Sequence, residues 1–442
     1  MKDIKKKVEF FTFYDKTGIE KHLEQMAAEG WFLEKMSAFR WTYRRIEPKK
    51  IHFSVSYYAT ITDFEPEPTE EQQAFNEFCE HSGWKLAAST MQMQVFYNEN
   101  ENPVPIETDP MLEVENIHRS VKKTVLVSYF LMMFFGLLLG ASFVDTLISD
   151  PVYLLASSTK LFTGVWCVIA FAYSLTEIIT YFVWRKKAKA LAEQGVFLET
   201  RGHRKLGFAV VVFMLVSLVL YLITLANTGL QFYMTAYVLI FLAGFPLVNG
   251  VKSFLKKKKV KAGTNKTLTF AASFTLAFVL VGALTAVTIL GIKNGAFEND
   301  LKELPFTVGE LCGIDDSDYL KTRDKDDSIM LGQYRSSQHP RTYADTPSMQ
   351  FTITEVKMPF LYDFVVDRLY NGYERRGYNS EYEYVEVDAT AWGANKAWQL
   401  FKDGKTENAF LVCYDEFVLE IRVDWELTAE QKQLISNKIC EE

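Results

Sequence analysis

The chain has 442 residues, 49% of them hydrophobic, and carries 48 Lys and Arg against 55 Asp and Glu, a net charge of −7. Its length exceeds one ordinary compact domain, and an overall acidic balance gives no footprint for direct nucleic-acid binding. Six scattered histidines and five cysteines, with no CxxC or HExxH among them, exclude the usual structural metal spacings.

The opening Met1-Lys-Asp-Ile-Lys-Lys-Lys7 is charged but lacks an apolar stretch behind it, so no cleaved signal peptide is expected. Val8, Phe10, Thr12 and Tyr14 alternate as a half-buried strand does. Thr17-Gly-Ile-Glu20 reads as a capping box, Ile19, Leu23, Met26 and Ala27 share a helical face, and Gly30 is placed to end the helix before Trp31 opens a strand. The series recurs: Ile51, Phe53, Val55 and Tyr57 alternate, and Thr69 to Gln72 caps a helix with Phe75, Phe78 and Cys79 inward. Gly83 then precedes Trp84. Glu29-Gly-Trp-Phe-Leu33 and Ser82-Gly-Trp-Lys-Leu86 match, and strands at Phe39 to Arg45 and Met91 to Tyr97 follow them.

A strand, helix, strand, strand unit written twice predicts an α+β domain over 1–105, with one antiparallel sheet and both helices on one face. Trp31 and Trp84 are expected as core wedges, with a ligand groove as the competing reading. Neither helix starts at a Gly-rich loop, so no cofactor phosphate is implied.

At Leu23, Met26, Gly30-Trp31, Tyr43, Pro48 and the second Gly83-Trp84 the chain resembles the bacterial domain of unknown function 2812 family, over roughly the first 100 residues. The resemblance implies a setting, a membrane-held companion of a PadR-like transcriptional repressor. It brings no catalytic residues.

Residues 106–123, with Glu107, Asp109, Glu113 and Glu115 following or flanking Pro103, Pro105 and Pro110, read as an extended acidic linker. Then comes the membrane block, 124–292. Crossing ~30 Å of hydrocarbon takes roughly 20 apolar residues. Five segments qualify: Thr124 to Phe143, Leu161 to Trp184, Gly207 to Leu225, Phe232 to Val251 and Thr267 to Ile292. Basic residues crowd three joints, before the first span, between the second and third, and between the fourth and fifth. The other two joints hold a single basic residue, Lys160. Lysine and arginine stay on the cytoplasmic side, so the N-terminus is expected in the cytoplasm and the C-terminus outside. Regional charge agrees: 297–442 holds 16 basic against 29 acidic residues, and the remainder 32 against 26.

Within the spans, Gly136 with Gly140 and Gly282 with Ala286 are small-residue pairs that let helices approach, inside one molecule or between two in a homo-oligomer. Glu177 is the one ionisable residue well inside a span. Such a charge reads as functional by default, although Tyr173, Ser174, Thr176, Thr180 and Tyr181 stand near enough in sequence to hydrogen-bond it. The lysines 256 to 259 set topology and could also meet anionic lipid.

The outer domain, 297–442, opens on a charged segment through Arg341 that reads as a loop, with Asp315, Asp316, Asp318, Asp324, Asp326 and Asp327 crowded in it. A calcium loop is the competing reading, but the spacing fits no consensus. Beyond it, strands are expected at Phe351 to Val356, Tyr382 to Ala389, Lys396 to Phe401, Phe410 to Tyr414 and Phe417 to Val423. With a helix after Pro359, an Asp403-Gly404 turn and a capped helix from Thr428, they predict a second antiparallel α+β domain. Cys312, Cys413 and Cys440 could pair as a disulfide or lie buried as free thiols.

The expected molecule is a five-span helical bundle between two α+β domains with antiparallel sheets. With no catalytic constellation, cofactor site or metal site to name, the expected role is signalling, coupling an outer sensing domain to a cytoplasmic domain that binds a protein partner. The alternative is an accessory subunit of a transport or envelope-assembly system, with Glu177 as its working group.

Overall fold

The computed structural model describes the chain except residues 1–2, 38–39, 59–61, 63, 67, 91, 124, 225–229, 295–303, 342–345, 373–381 and 441–442, and the side chains of 123, 230–234, 238, 240–243 and 245. The expected starts of elements at Phe39, Met91, Thr124 and Phe297, and the end of the third span at Leu225, lie outside the described residues. The chain divides into two compact units: Met1–Leu137 with Val168–Val216 and Ala236–Ala286, and Leu138–Cys167 with Ser217–Thr235 and Val287–Glu442.

In the first unit, β1 (Ile4–Val8), α1 (Lys16–Ala28), β2 (Trp31–Lys35) and β3 (Arg40–Arg45) are followed by β4 (His52–Tyr57), α2 (Glu70–His81), β5 (Lys85–Thr90) and β6 (Met93–Asn98). The repeat is present in three dimensions. Each half makes an antiparallel sheet in the same order, β1-β3-β2 and β4-β6-β5. The register shifts at Leu33/Lys35 in one and at the equivalent Leu86/Ala88 in the other. Gly30 and Gly83 take the left-handed conformation, φ 84° and φ 85°. That geometry lets each helix end and the chain turn into its strand.

The first unit departs from the sequence expectation in its sheets, its first strand and its second helix. The halves form two three-stranded sheets rather than one, because the outer edge of β4 is occupied by α1: Glu20 Oε1 accepts the Val55 amide at 2.8 Å. The strand expected over Val8 to Tyr14 stops at Val8, where Glu9, Thr12 and Asp15 turn inward to polar partners. Phe78, expected inward, is 62% exposed, while Cys79 is buried beside Trp84.

The expected linker contains α3 (Pro110–Lys123). Pro110 suits a first helical turn, where its missing amide costs nothing. Asp109 accepts the Met111 amide at 2.8 Å, and Val114, Ile117 and Val121 are buried in the core shared with α1, β3 and β4.

Among the described residues, four helices are long and apolar enough to cross a membrane: α4 (Val125–Ser149), α6 (Ser158–Ala192), α7 (Arg204–Thr224) and α9 (Ala262–Lys293). The fourth expected span falls in α8 (Leu230–Lys257), which holds Pro246. At a rise of roughly 1.5 Å per residue, α6 is about 52 Å long, well beyond a hydrocarbon layer of about 30 Å. Its surplus is used: Tyr181, Trp184, Ala188 and Ala192 are buried in the same core as the repeat domain.

In the second unit, α5 (Pro151–Ala156), short and capped by Asp150, joins α4 to α6 where the sequence shows only a joint poor in basic residues. After α10 (Val308–Cys312), a seven-stranded antiparallel sheet runs in the order β10-β11-β12-β13-β9-β8-β7. Its strands are β7 (Tyr319–Asp327), β8 (Leu331–Pro340), β9 (Met349–Val356), β10 (Tyr382–Val387), β11 (Lys396–Lys402), β12 (Lys405–Cys413) and β13 (Phe417–Val423). The charged segment read as a loop thus contains α10, β7 and β8. Its lysines and aspartates defeat the periodicity because β7 is an edge strand, where charge on both faces blocks pairing with a further chain. One sheet face is covered by α10 and α12 (Ala429–Cys440), the other by α5 and α11 (Tyr362–Tyr370). Val152 and Ala156 of α5 pack with Leu331, Val356 and Val418, and Ser328 donates to the Leu155 carbonyl at 2.6 Å. Asp403 and Gly404 form the expected turn, with φ 49° and φ 73°. All five cysteines are free.

Candidate functional site, a buried ionic network around the 199–204 connector

The connector between α6 and α7 reads Glu199-Thr-Arg-Gly-His-Arg204, and it meets the segment 9–22 of the first repeat almost residue by residue. Glu9 is 3% exposed. Arg204 Nη2 donates to its Oε2 at 2.6 Å and His22 Nε2 lies 3.0 Å from Oε1. Arg204 Nη1 approaches His22 Nδ1 at 3.5 Å. The partners therefore fit the tautomer with the proton on Nε2, donated to Glu9 while Nδ1 accepts. The guanidinium also lies 4.5 Å over the Phe11 ring, which stacks on Trp41. Burial opposes the charge on Glu9, but His22 and Arg204 outweigh it and hold the carboxyl below its usual range.

One turn along, Asp15 caps α1, accepting the Gly18 amide at 3.1 Å. The expected box at Thr17 does not form. Asp15 reaches the first-turn amide instead, and Thr17 is spent on the connector, its amide donating to Thr200 Oγ1 at 2.9 Å and its hydroxyl accepting the Thr200 amide at 3.1 Å. Burial raises the Asp15 carboxyl, with the Gly18 and Gly202 amides and Thr200 pulling the other way. Gly202 is required by contact. A Cβ there would stand 2.7 Å from Asp15 Oδ2 and 2.9 Å from Thr12 Oγ1.

Glu177 completes the network. It is fully buried, and its partners are His203 Nδ1 at 3.2 Å and Thr12 Oγ1 at 3.5 Å, the first from the connector and the second from the repeat domain. Three of the hydroxyls expected around it go elsewhere: Ser174 and Thr176 bond back to helix carbonyls, and Tyr181 bonds His118 at 2.8 Å. Lys21 and Glu199 add an exposed pair at 2.9 Å.

The other singled-out residues lie apart from this network. Trp84 is buried, its indole donating to Val104 O at 2.7 Å, whereas Trp31 is half-buried between the cations of Lys5 and Arg45, 4.9 and 5.0 Å from the ring. Gly136 and Gly140 are buried along a mostly exposed α4, while Gly282 and Ala286 are exposed and Gly282 has open space where a Cβ would stand. A closer packing contact involves a glycine outside both small-residue pairs: a Cβ on Gly164 would overlap the Phe143 ring, whereas one on Gly282 would meet nothing within 4 Å. Among the described residues no group of three or more His, Cys, Asp or Glu could hold a metal.

Nothing local in the sequence gathers Glu9, His22, Asp15, Thr200, His203 and Arg204 into a site. The available signals were a lone Glu9 inside an aromatic run and His22 on the apolar face of Ile19, Leu23 and Met26. The connector itself registers in sequence only as topology-setting charge.

No curated protein and no solved structure matches the chain. Residues 15–130, from the cap of α1 through the second repeat and α3 to the start of α4, match the family described as "Protein of unknown function (DUF2812)". The segment that resembles this family therefore includes α1, which brings Thr17 and His22 to the ionic network, whereas Glu9, Thr12 and the 199–204 connector lie outside the matched residues.

Proposed function

We propose that this is a multi-pass membrane signalling protein in which an outer α+β domain senses a ligand or the state of the envelope. The spans carry that state to a cytoplasmic DUF2812 domain, which binds a protein partner. Counting α8 as a crossing gives five spans, since a helix of that size is about 42 Å long, ample for a bilayer. The basic joints then put the N-terminus inside and the C-terminus outside.

The observation that carries this reading is the Glu177 triad. A carboxylate on α6 is tied at once to the connector and to the repeat domain, so a shift or rotation of α6 must be answered by the segment 9–22. Discrete polar contacts of this kind have few alternative arrangements, which is what coupling between sites requires. The partner class follows from the resemblance: a PadR-like repressor held at, or released from, the membrane.

Pull-down with the full chain tests the reading. Recovery of a transcriptional regulator whose retention changes in Glu177→Gln supports it, and retention independent of position 177 and of the outer domain counts against it. The orientation is tested separately. Cys440 is exposed near the C-terminus, so a membrane-impermeant maleimide should label it on intact cells.

The second reading, an accessory subunit of a transport or assembly system, rests on Glu177 being the working group. It requires Glu177→Gln to abolish that activity while partner binding by the DUF2812 domain persists.

A further inference from the structure

In an antiparallel sheet, directly paired residues share a face. The register of β1 with β3 therefore puts Ile4 with Arg44, Lys6 with Thr42, and Val8 with Arg40 on one side, and β2 adds Lys35 opposite Thr42. The reverse side carries Trp41, Tyr43 and Leu33 and is the core side. At the β2 edge of the first side, Phe32 packs against Phe53 and Tyr97 of the second repeat, so the open part is the β1 edge. There Ile4 is 53% and Val8 58% exposed, set among Lys6, Lys35, Arg40 and Arg44, all exposed. Aliphatic side chains interleaved with cations on a solvent face suit an interface with anionic groups beside hydrocarbon.

The place of this face identifies which interface. Phe10, two residues beyond Val8, packs on Phe208 with ring centroids 5.9 Å apart, and Phe208 lies in the first turns of α7, one of the apolar membrane-length helices. The Val8–Arg40 end of the sheet therefore sits next to the point where α7 enters the bilayer.

We infer that the Ile4/Lys6/Val8/Arg40/Arg44 face of the first repeat docks on anionic phospholipid headgroups of the adjoining leaflet, pinning the DUF2812 domain to the membrane surface. Each cation close to such a surface contributes roughly a fivefold factor, and the exposed Ile4 and Val8 side chains insert among the headgroups. Release of this face would expose a basic surface on the domain, so the docked and undocked states differ in what they offer a partner.

The test uses the full chain in lipid nanodiscs made of phosphatidylcholine alone or with about one third phosphatidylglycerol, read by amide hydrogen exchange. The inference requires slower exchange over 4–8 and 40–45 in the anionic discs. That difference must disappear in Lys6→Glu/Arg40→Glu/Arg44→Glu. It must also shrink on raising salt from about 0.1 to about 1 M, where the screening length falls from ~10 Å to ~3 Å. A milder Lys6→Gln/Arg44→Gln chain serves if the charge reversal does not fold, and should lose most of the difference. Equal exchange in the two lipids, or a difference that survives both variants, overturns the proposal. The discs carry the same lipid on both leaflets, so the outcome does not depend on which way the chain is oriented, and failure here is distinguishable from failure of the Cys440 labelling.

Discussion

Arg204 and Glu9, far apart in sequence, meet at 2.6 Å with the Glu9 side chain 1% exposed and the Arg204 side chain 43% exposed. Stripping the cation from such a pair leaves a buried charge uncompensated, which typically costs a few kcal/mol. Because Arg204 is partly solvated, Arg204→Ala is expected to destabilise the first unit by about 2 kcal/mol. Adding Glu9→Gln should return part of that loss. A double-mutant cycle on the denaturation midpoint in detergent checks it, and a coupling below about 0.5 kcal/mol would mean the pair acts independently.

Gly202 makes the same interface a steric question. Gly202→Ala forces a methyl against Asp15 and Thr12, and overpacking of this kind costs about 1–3 kcal/mol. Gly195 is the control: its positive φ strains any side chain, but nothing lies within 4 Å of a Cβ. Gly195→Ala should therefore cost only about 1 kcal/mol and leave exchange over 12–18 unchanged, whereas Gly202→Ala should accelerate it.

The fold was legible wherever one residue type has one physical use. Gly30 and Gly83 announced two helix ends, and Thr428 announced α12, whose capping box forms through Gln431. The apolar runs gave four membrane-length helices directly. What stayed hidden depended on partners far away in sequence. Thr17 has the side chain of a cap but is claimed by Thr200, and Glu20, which looked like the other half of a capping box, closes the edge of β4. Glu177 was conspicuous as a charge in a span, but nothing local to it pointed to His203 or Thr12. In β7 the cause was different: a charged edge strand has no apolar period to read.

Glu20 gives the first unit a pH dependence. Burial pushes its carboxyl up to about 7, against the pull of Lys16 and the Val55 amide. With the folded value above the usual one of 4.5, the folded state holds the proton more tightly. Stability therefore increases as pH falls through the folded value and is fully gained below the unfolded one; above the folded value the penalty is constant. Asp15 and Glu107, also raised by burial, act in the same direction. The lowered Glu9 loses its contribution only at more acid pH. The thermal midpoint of the first unit should therefore be higher at about pH 6 than at about pH 8, and Glu20→Gln should flatten that difference.

Thiol chemistry separates the cysteines. Burial raises Cys79 and Cys413 to about 11, whereas Cys440 is exposed. The thiolate is the reactive form, so neither buried thiol is a nucleophile at neutral pH. In the native protein Cys440 should react with maleimide within minutes while Cys79 and Cys413 react only on unfolding. Mass spectrometry of labelled peptides distinguishes them, and fast labelling of Cys413 would mean the β12 core opens readily.

Gly164 on α6 and Phe143 on α4 touch so closely that even one methyl collides with the ring, while the Gly282 position of α9 faces open space. Between helices in lipid, association depends on close packing rather than on expulsion of water, so a single small-to-larger change at the contact is felt in full. Gly164→Ala is expected to cost about 1–3 kcal/mol and Gly164→Leu more, with Phe143→Ala partly rescuing the alanine variant by removing the obstruction. Gly282→Ala should be neutral or slightly stabilising, since alanine has the higher helix propensity. Melting of the four variants in one detergent decides the matter: equal effects at 164 and 282, or no rescue by Phe143→Ala, would show that the α4–α6 contact is not set by this pair.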